Sequence, residues 1–145
     1  MDELRSFVTA VDHVGIAVPE MGPAIAFYRD VLGLELTHEE INEAEGVHEA
    51  MLRPPGDQAG TAVQLLAPLG PETTIGKFLA RKGPGLQQVA YRVTDVDAAA
   101  EALRAKGLRV MYEQAGSGTA NSRTNFVHPK DAGGVLIELV EPARQ

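Results

Sequence analysis

Four polar residues occupy strand positions that should be burying apolar side chains, and they recur at a constant spacing along the 145-residue chain. His13 lies in Val11-Asp12-His13-Val14-Gly15-Ile16-Ala17-Val18, and Gln88 holds the same place in Leu86-Gln87-Gln88-Val89-Ala90-Tyr91-Arg92-Val93, 75 positions on. Gln64 in Val63-Gln64-Leu65-Leu66-Ala67-Pro68 matches Glu138 in Ile137-Glu138-Leu139-Val140-Glu141-Pro142, 74 positions on, and Gly33-Leu34 matches Gly107-Leu108 at the same 74. A constant offset over nearly half the chain means two copies of one supersecondary module. An imidazole nitrogen, two amide oxygens and a carboxylate form a donor set for a hard or borderline divalent cation. Such a set binds more weakly than a histidine-rich one, because amide oxygens are neutral, poor donors. Taken singly, a strand histidine is more often structural. A carboxylate inside Gly134-Val135-Leu136-Ile137-Glu138-Leu139-Val140, however, is costly to bury unless paired or metal-bound.

Glu49 is a second carboxylate of interest. In Gly46-Val47-His48-Glu49-Ala50-Met51-Leu52 it shares a strand face with Val47 and Met51. Apolar surroundings would raise its pKa and suit it to moving protons, whereas on an outward face it would be a solvated carboxylate. Two carboxylates on opposite sides of one carbon are what a two-base proton transfer needs, and Glu49 and Glu138 are the candidates. Arg123, Lys130, Lys77 and Arg81 could form a local basic patch. The small, polar run Gly116-Ser117-Gly118-Thr119-Ala120-Asn121, continuing through Ser122 to Arg123, suits a backbone approaching an anion. The anionic parts of a ligand are therefore expected at Ser122, Arg123 and the neighbouring Lys130.

These residues need a scaffold that sets them on common faces. Alternation predicts strands at 11–18, 34–40, 46–53 and 61–67, with a helix over 22–32 closed by Gly33. The second copy repeats the order: a strand at 86–93, a helix from the Thr94-Asp95 cap to Lys106 closed by Gly107, and strands near 108–113, 122–128 and 134–140. Between them, Thr73 caps a short helix to Gly83 with an apolar stripe of Ile75, Phe78 and Leu79. The expected fold is α+β, two tandem βαβββ modules forming a curved mixed sheet around one cleft, in a single domain over 1–145. Module 1 covers about 10–70, the linking helix about 73–83 and module 2 about 85–142. Exposed edge strands in such modules need covering, and a homodimer is expected.

Composition narrows the function classes. Thirteen basic against 20 acidic residues give a net charge of −7, which argues against a nucleic-acid partner. The apolar runs are far short of a membrane span, and the start Met1-Asp2-Glu3-Leu4-Arg5 lacks secretory-signal features. With no cysteines, disulfides and thiolate metal sites are excluded, and cytoplasmic residence is the default expectation.

Seven stretches together resemble the vicinal oxygen chelate (glyoxalase-like) superfamily and, within it, the methylmalonyl-CoA epimerase family. They are Asp12–Val18, Phe27–Gly33, Gly46–Leu52, Gln64–Leu69, Thr74–Leu79, Arg123–Lys130 and Gly133–Leu139, and the resemblance spans roughly 10–142. The first marks only the superfamily, while the glutamate stretch and the C-terminal block are more specific. The resemblance implies that His13, Gln64 and Glu138 bind a divalent metal, often Co(2+) in this family, with Mn(2+), Zn(2+) or Ni(2+) as alternatives. It implies an acyl-CoA substrate, with Glu49 and Glu138 removing and returning the C2 proton of methylmalonyl-CoA. The chain departs from the pattern at Gln87-Gln88, where many members carry His-His and the second residue is the fourth ligand; Gln88 can still offer an oxygen. Other superfamily activities stay open: an isomerase or lyase on a different acyl-CoA or biosynthetic substrate, or a non-catalytic binder. Glu49 separates them, since a sequestering protein has no use for a second buried base. A dioxygenase would want two histidines and a carboxylate, and only His13 is present in the candidate set.

Overall fold

The computed structural model describes residues 7–144. Their contacts group into two units: residues 13–87, and residues 88–144 together with 7–12. In the first unit, strict alternation in β1 (Val8–Ala17) buries His13, Gly15 and Ala17, and the central residues of β3 (Val47–Arg53) and β4 (Ala62–Pro68) are buried on both faces, Glu49 and Gln64 among them. The strand order is β2-β3-β4-β1, with β2 (Glu35–Asn42) at the edge, β1/β4 parallel and the remaining pairs antiparallel. Helix α1 (Met21–Ala26) packs Met21 and Ile25 on Ala50, Leu52, Leu65 and Ala67. Leu52 and Leu65 are wholly buried there, and truncating either to alanine costs about 2–5 kcal/mol.

The helix expected over 22–32 is α1 running into a single π turn at Phe27–Val31. Gly33, at φ 74°, ends it, and its neighbour Leu34 donates its N–H back to the Tyr28 carbonyl. Helix α2 (Thr74–Lys82) is capped by the Thr73 hydroxyl, which accepts from Gly76 N–H at 3.1 Å. Its Ile75, Phe78 and Leu79 pack on Ala17, Val47 and Leu66.

The second unit repeats the plan as β5-β8-β7-β6, from β5 (Gly85–Val93), β6 (Gly116–Ser117), β7 (Arg123–Val127) and β8 (Leu136–Glu141). Helix α3 (Val96–Ala105) is capped by Asp95, and its Val96 N–H donates to Glu141. Val96, Ala99 and Leu103 pack on Val93, Val127 and Leu139. One expectation is corrected here: the strand near 108–113 does not form, and only an isolated Val110–Val127 bridge remains. The Asn125 side chain accepts from Tyr112 N–H and donates to the Tyr112 carbonyl, both at 2.9 Å, so a side chain satisfies backbone groups that a ladder would have paired. The short β6 supplies the module's third strand instead. Among the described residues no helix is long and apolar enough to cross a membrane.

Candidate active site

In the first unit, register lays the candidate residues on one face. Gly15 of β1 pairs with Gln64 of β4, so His13 is the diagonal neighbour of Gln64, and glycine leaves space beside the imidazole and the amide. Across the next pair, Gln64 stands opposite Met51 and Glu49 opposite Leu66, which makes Glu49 the other diagonal neighbour of Gln64. Gln64 Nε2 donates to Glu49 Oε2 at 3.4 Å. His13, Gln64 and Glu49 are 3 %, 2 % and 6 % exposed, so all three are buried polar groups held by strands rather than loops. Val47 and Met51, buried on either side of Glu49 along β3, give it the apolar company read from sequence.

The second unit has the same register. Gln88 of β5 pairs with Leu136 and Ala90 with Glu138, so Gln88 is the diagonal neighbour of Glu138, as His13 is of Gln64. Gln88 Nε2 donates to Glu138 Oε1 at 2.6 Å, and both residues are 7 % exposed. Thr124 of β7 pairs with Val140, the position that Glu49 holds against Leu66 in the first unit.

The residues expected at the ligand's anionic end are placed less uniformly. Ser122 is buried, its N–H donates to the Thr119 carbonyl and its carbonyl accepts from Gly118 N–H. The intervening turn holds Ala120 at φ 55° and Asn121 at φ 62°, left-handed conformations that cost non-glycine residues energy. Arg123 donates to Asp97 at 2.8 Å with Glu141 at 3.6 Å, so its charge is shared with two carboxylates and its guanidinium is held above its usual pKa by the Asp97 bond. Lys130, Lys77 and Arg81 are exposed.

Two residues on the face of Glu49 were missed by the sequence reading. Glu40 of the edge strand β2 stands directly opposite Glu49, and His38 opposite Met51. The signal was available in part: His38, Glu40 and Asn42 alternate as polar residues along a strand.

Among the described residues no three His, Cys, Asp or Glu side chains form a metal-binding group, so a metal here would have to draw on amide oxygens. The amides suit that duty. Gln64 and Gln88 each turn an amide N–H toward a carboxylate, and the oxygen of each amide is the atom that could serve as a metal donor.

Comparison with known proteins identifies the family. Residues 12–127 match the model of the Glyoxalase/Bleomycin resistance protein/Dioxygenase superfamily. The chain is 35 % identical over 130 residues to the mitochondrial methylmalonyl-CoA epimerase of the mouse, covering 89 % of this chain and 71 % of that one. The crystal structure of methylmalonyl-CoA epimerase from Mycobacterium tuberculosis superposes with a TM-score of 0.91 at 57 % identity, over 96 % of this chain and 91 % of that one. A methylmalonyl-CoA epimerase solved in complex with methylmalonyl-CoA and NH4+ gives a TM-score of 0.89 at 43 % identity, over 94 % of this chain and 96 % of that one. The chain belongs to the glyoxalase-like superfamily and, within it, to the methylmalonyl-CoA epimerase family.

Proposed function

We propose that this chain interconverts (R)- and (S)-methylmalonyl-CoA by a 1,1-proton transfer at C2, with Glu49 and Glu138 as the two bases. The observation that carries the reading is the pair of buried, strand-held carboxylates, each hydrogen-bonded to a glutamine amide. The C2 proton lies between a thioester and a carboxylate, so its removal places negative charge on the thioester oxygen. One glutamate takes the proton from one side as a carboxylate, and the other, as the carboxylic acid, returns a proton to the opposite side. The reverse reaction exchanges the roles. His13, Gln64, Gln88 and Glu138 are the proposed holders of a divalent cation, with Co(2+) first and Mn(2+), Zn(2+) or Ni(2+) as alternatives. Held there, such a cation would supply Lewis-acid stabilisation of the negative charge that develops next to C2. Buried Ser122 and the strained turn before it are proposed to meet the anionic end of the ligand, with Lys130 adding charge and Arg123 less, because Asp97 and Glu141 already share it.

The test is proton NMR of single-enantiomer methylmalonyl-CoA in deuterated water. Protein-dependent appearance of the other enantiomer, deuterated at C2, is expected; an unaltered spectrum would end the reading. The lack of cysteines fits cytoplasmic residence, and the edge strands β2 and β6 fit a homodimer, which light scattering checks.

A further inference from the structure

Strand β2 lies at an edge of its sheet, yet its half-buried positions are all polar. His38, Glu40 and Asn42 alternate with exposed Glu39 and Ile41, where an inward face ordinarily carries apolar side chains. Glu40 and Glu49 are directly opposed across an antiparallel pair. Side chains so placed have Cβ atoms about 4.5–5.5 Å apart, which lets two glutamates meet directly or through one water. Like charges at opposed positions are destabilising, so this arrangement costs stability that an apolar residue at 40 would not. On the other side of Glu40, His38 Nε2 lies 2.6 Å from Glu40 Oε1. Exposure climbs along this line: Glu49 is 6 % exposed, and the Glu40 and His38 side chains are 31 % and 40 % exposed.

We propose that Glu40 and His38 form a proton relay that exchanges the proton on Glu49 with solvent between turnovers. This rests on the reading of Glu49 as one of two bases. A two-base epimerase ends each one-way turnover with an extra proton on the base that took it and a missing one on the base that gave it. Before the same direction can run again, both must be reset. Glu49 is shut away from water, whereas Glu40 and His38 reach it. The Glu49 acid proton passes to the Glu40 carboxylate, Glu40 passes a proton to His38 Nε2, and the imidazolium releases one from Nδ1 to water. Each step breaks one O–H or N–H bond and makes another; once the 40 % exposed His38 side chain has exchanged with water back to its Nδ1–H tautomer, the net result is one proton in solvent, with Glu49 restored as carboxylate and the relay reset. Gly116 holds the equivalent place opposite Thr124 in the second unit, so the relay belongs to the Glu49 side.

The test follows [2-2H]methylmalonyl-CoA, supplied as either enantiomer in ordinary water, with the parent protein, Glu40→Gln, His38→Ala and Glu49→Gln. Slow resetting lowers kcat and KM together and leaves kcat/KM alone. In Glu40→Gln and His38→Ala, kcat is expected to fall about tenfold with kcat/KM unchanged, and more deuterium should return to the substrate pool instead of washing out. Added imidazole should restore kcat in His38→Ala and not in Glu49→Gln. If Glu40→Gln and His38→Ala keep the parent kcat and label loss, the relay is wrong while the two-base reading stands. A fall of kcat/KM alongside kcat would place Glu40 in the chemistry or the packing and also overturn the relay. A parent protein that does not epimerise removes the underlying reading instead.

Discussion

In the first module Gly15 pairs with Gln64, and Glu49 sits diagonally beside that amide on the next strand; in the second, Ala90 pairs with Glu138, and Thr124 takes the diagonal place. Each module thus keeps one buried carboxylate bonded to one buried amide, but on different strands. In the first the acid is on β3 and the amide on β4; in the second the acid is on β8 and the amide on β5. The difference teaches that the repeat supplies the register and a few positions within it supply the chemistry. The two amide bonds also differ in length, 3.4 Å at Glu49 and 2.6 Å at Glu138, and Glu49 has Glu40 directly opposite it with His38 beyond.

The largest expected effect comes from stripping the second module of its acid. Glu138→Gln should lower epimerisation about 10²–10⁴-fold and release bound metal, since it removes a proposed base and the only charged ligand together. Steady-state turnover and elemental analysis check the two losses, and a variant that loses activity with its metal retained would separate the duties assigned to Glu138. A smaller change makes the modules more alike. Gln88→His places an imidazole where His13 stands in the first module and should tighten divalent-metal binding about tenfold by calorimetry. Unchanged affinity would take Gln88 out of the ligand set.

The smallest effect concerns stability of the second module alone. Arg109 grips Asp131 through two side-chain bonds at 2.9 and 3.0 Å and a backbone N–H at 2.9 Å, which lowers the Asp131 carboxyl to about 2. A carboxyl depressed on folding stabilises above its unfolded value, about 3.9, and that contribution fades as pH falls from about 4 toward 2. Urea unfolding across that window should show Asp131→Asn losing less stability than the parent as pH drops.

Much of this was legible in the sequence because the repeat preserves register. The 75- and 74-residue offsets that align His13 with Gln88 and Gln64 with Glu138 reappear as the pairings Gly15 with Gln64 and Ala90 with Glu138. The burial of Glu49 in apolar company was legible from its alternation with Val47 and Met51. Glu40 and His38 were not, for a specific reason. The β2/β3 register slips between Leu36 and His38, and without that bulge Glu39 rather than Glu40 would stand opposite Glu49. A one-residue slip exchanges the two faces of a strand, and nothing in the residue types marks it. The strand expected at 108–113 failed for a similar reason, since an asparagine that completes a ladder with its side chain reads in sequence as an ordinary strand residue.

The claim that the two modules contribute one base each is tested most directly by isotope exchange with Glu49→Gln. Pure (R)- and pure (S)-methylmalonyl-CoA are incubated separately in deuterated water, and C2 deuteration and configuration are followed for each. The account predicts no epimerisation, and deuterium entering only the enantiomer whose C2 proton faces Glu138, with metal content unchanged. Epimerisation of both enantiomers at the parent rate would contradict it, because Glu49 would then be no base at all.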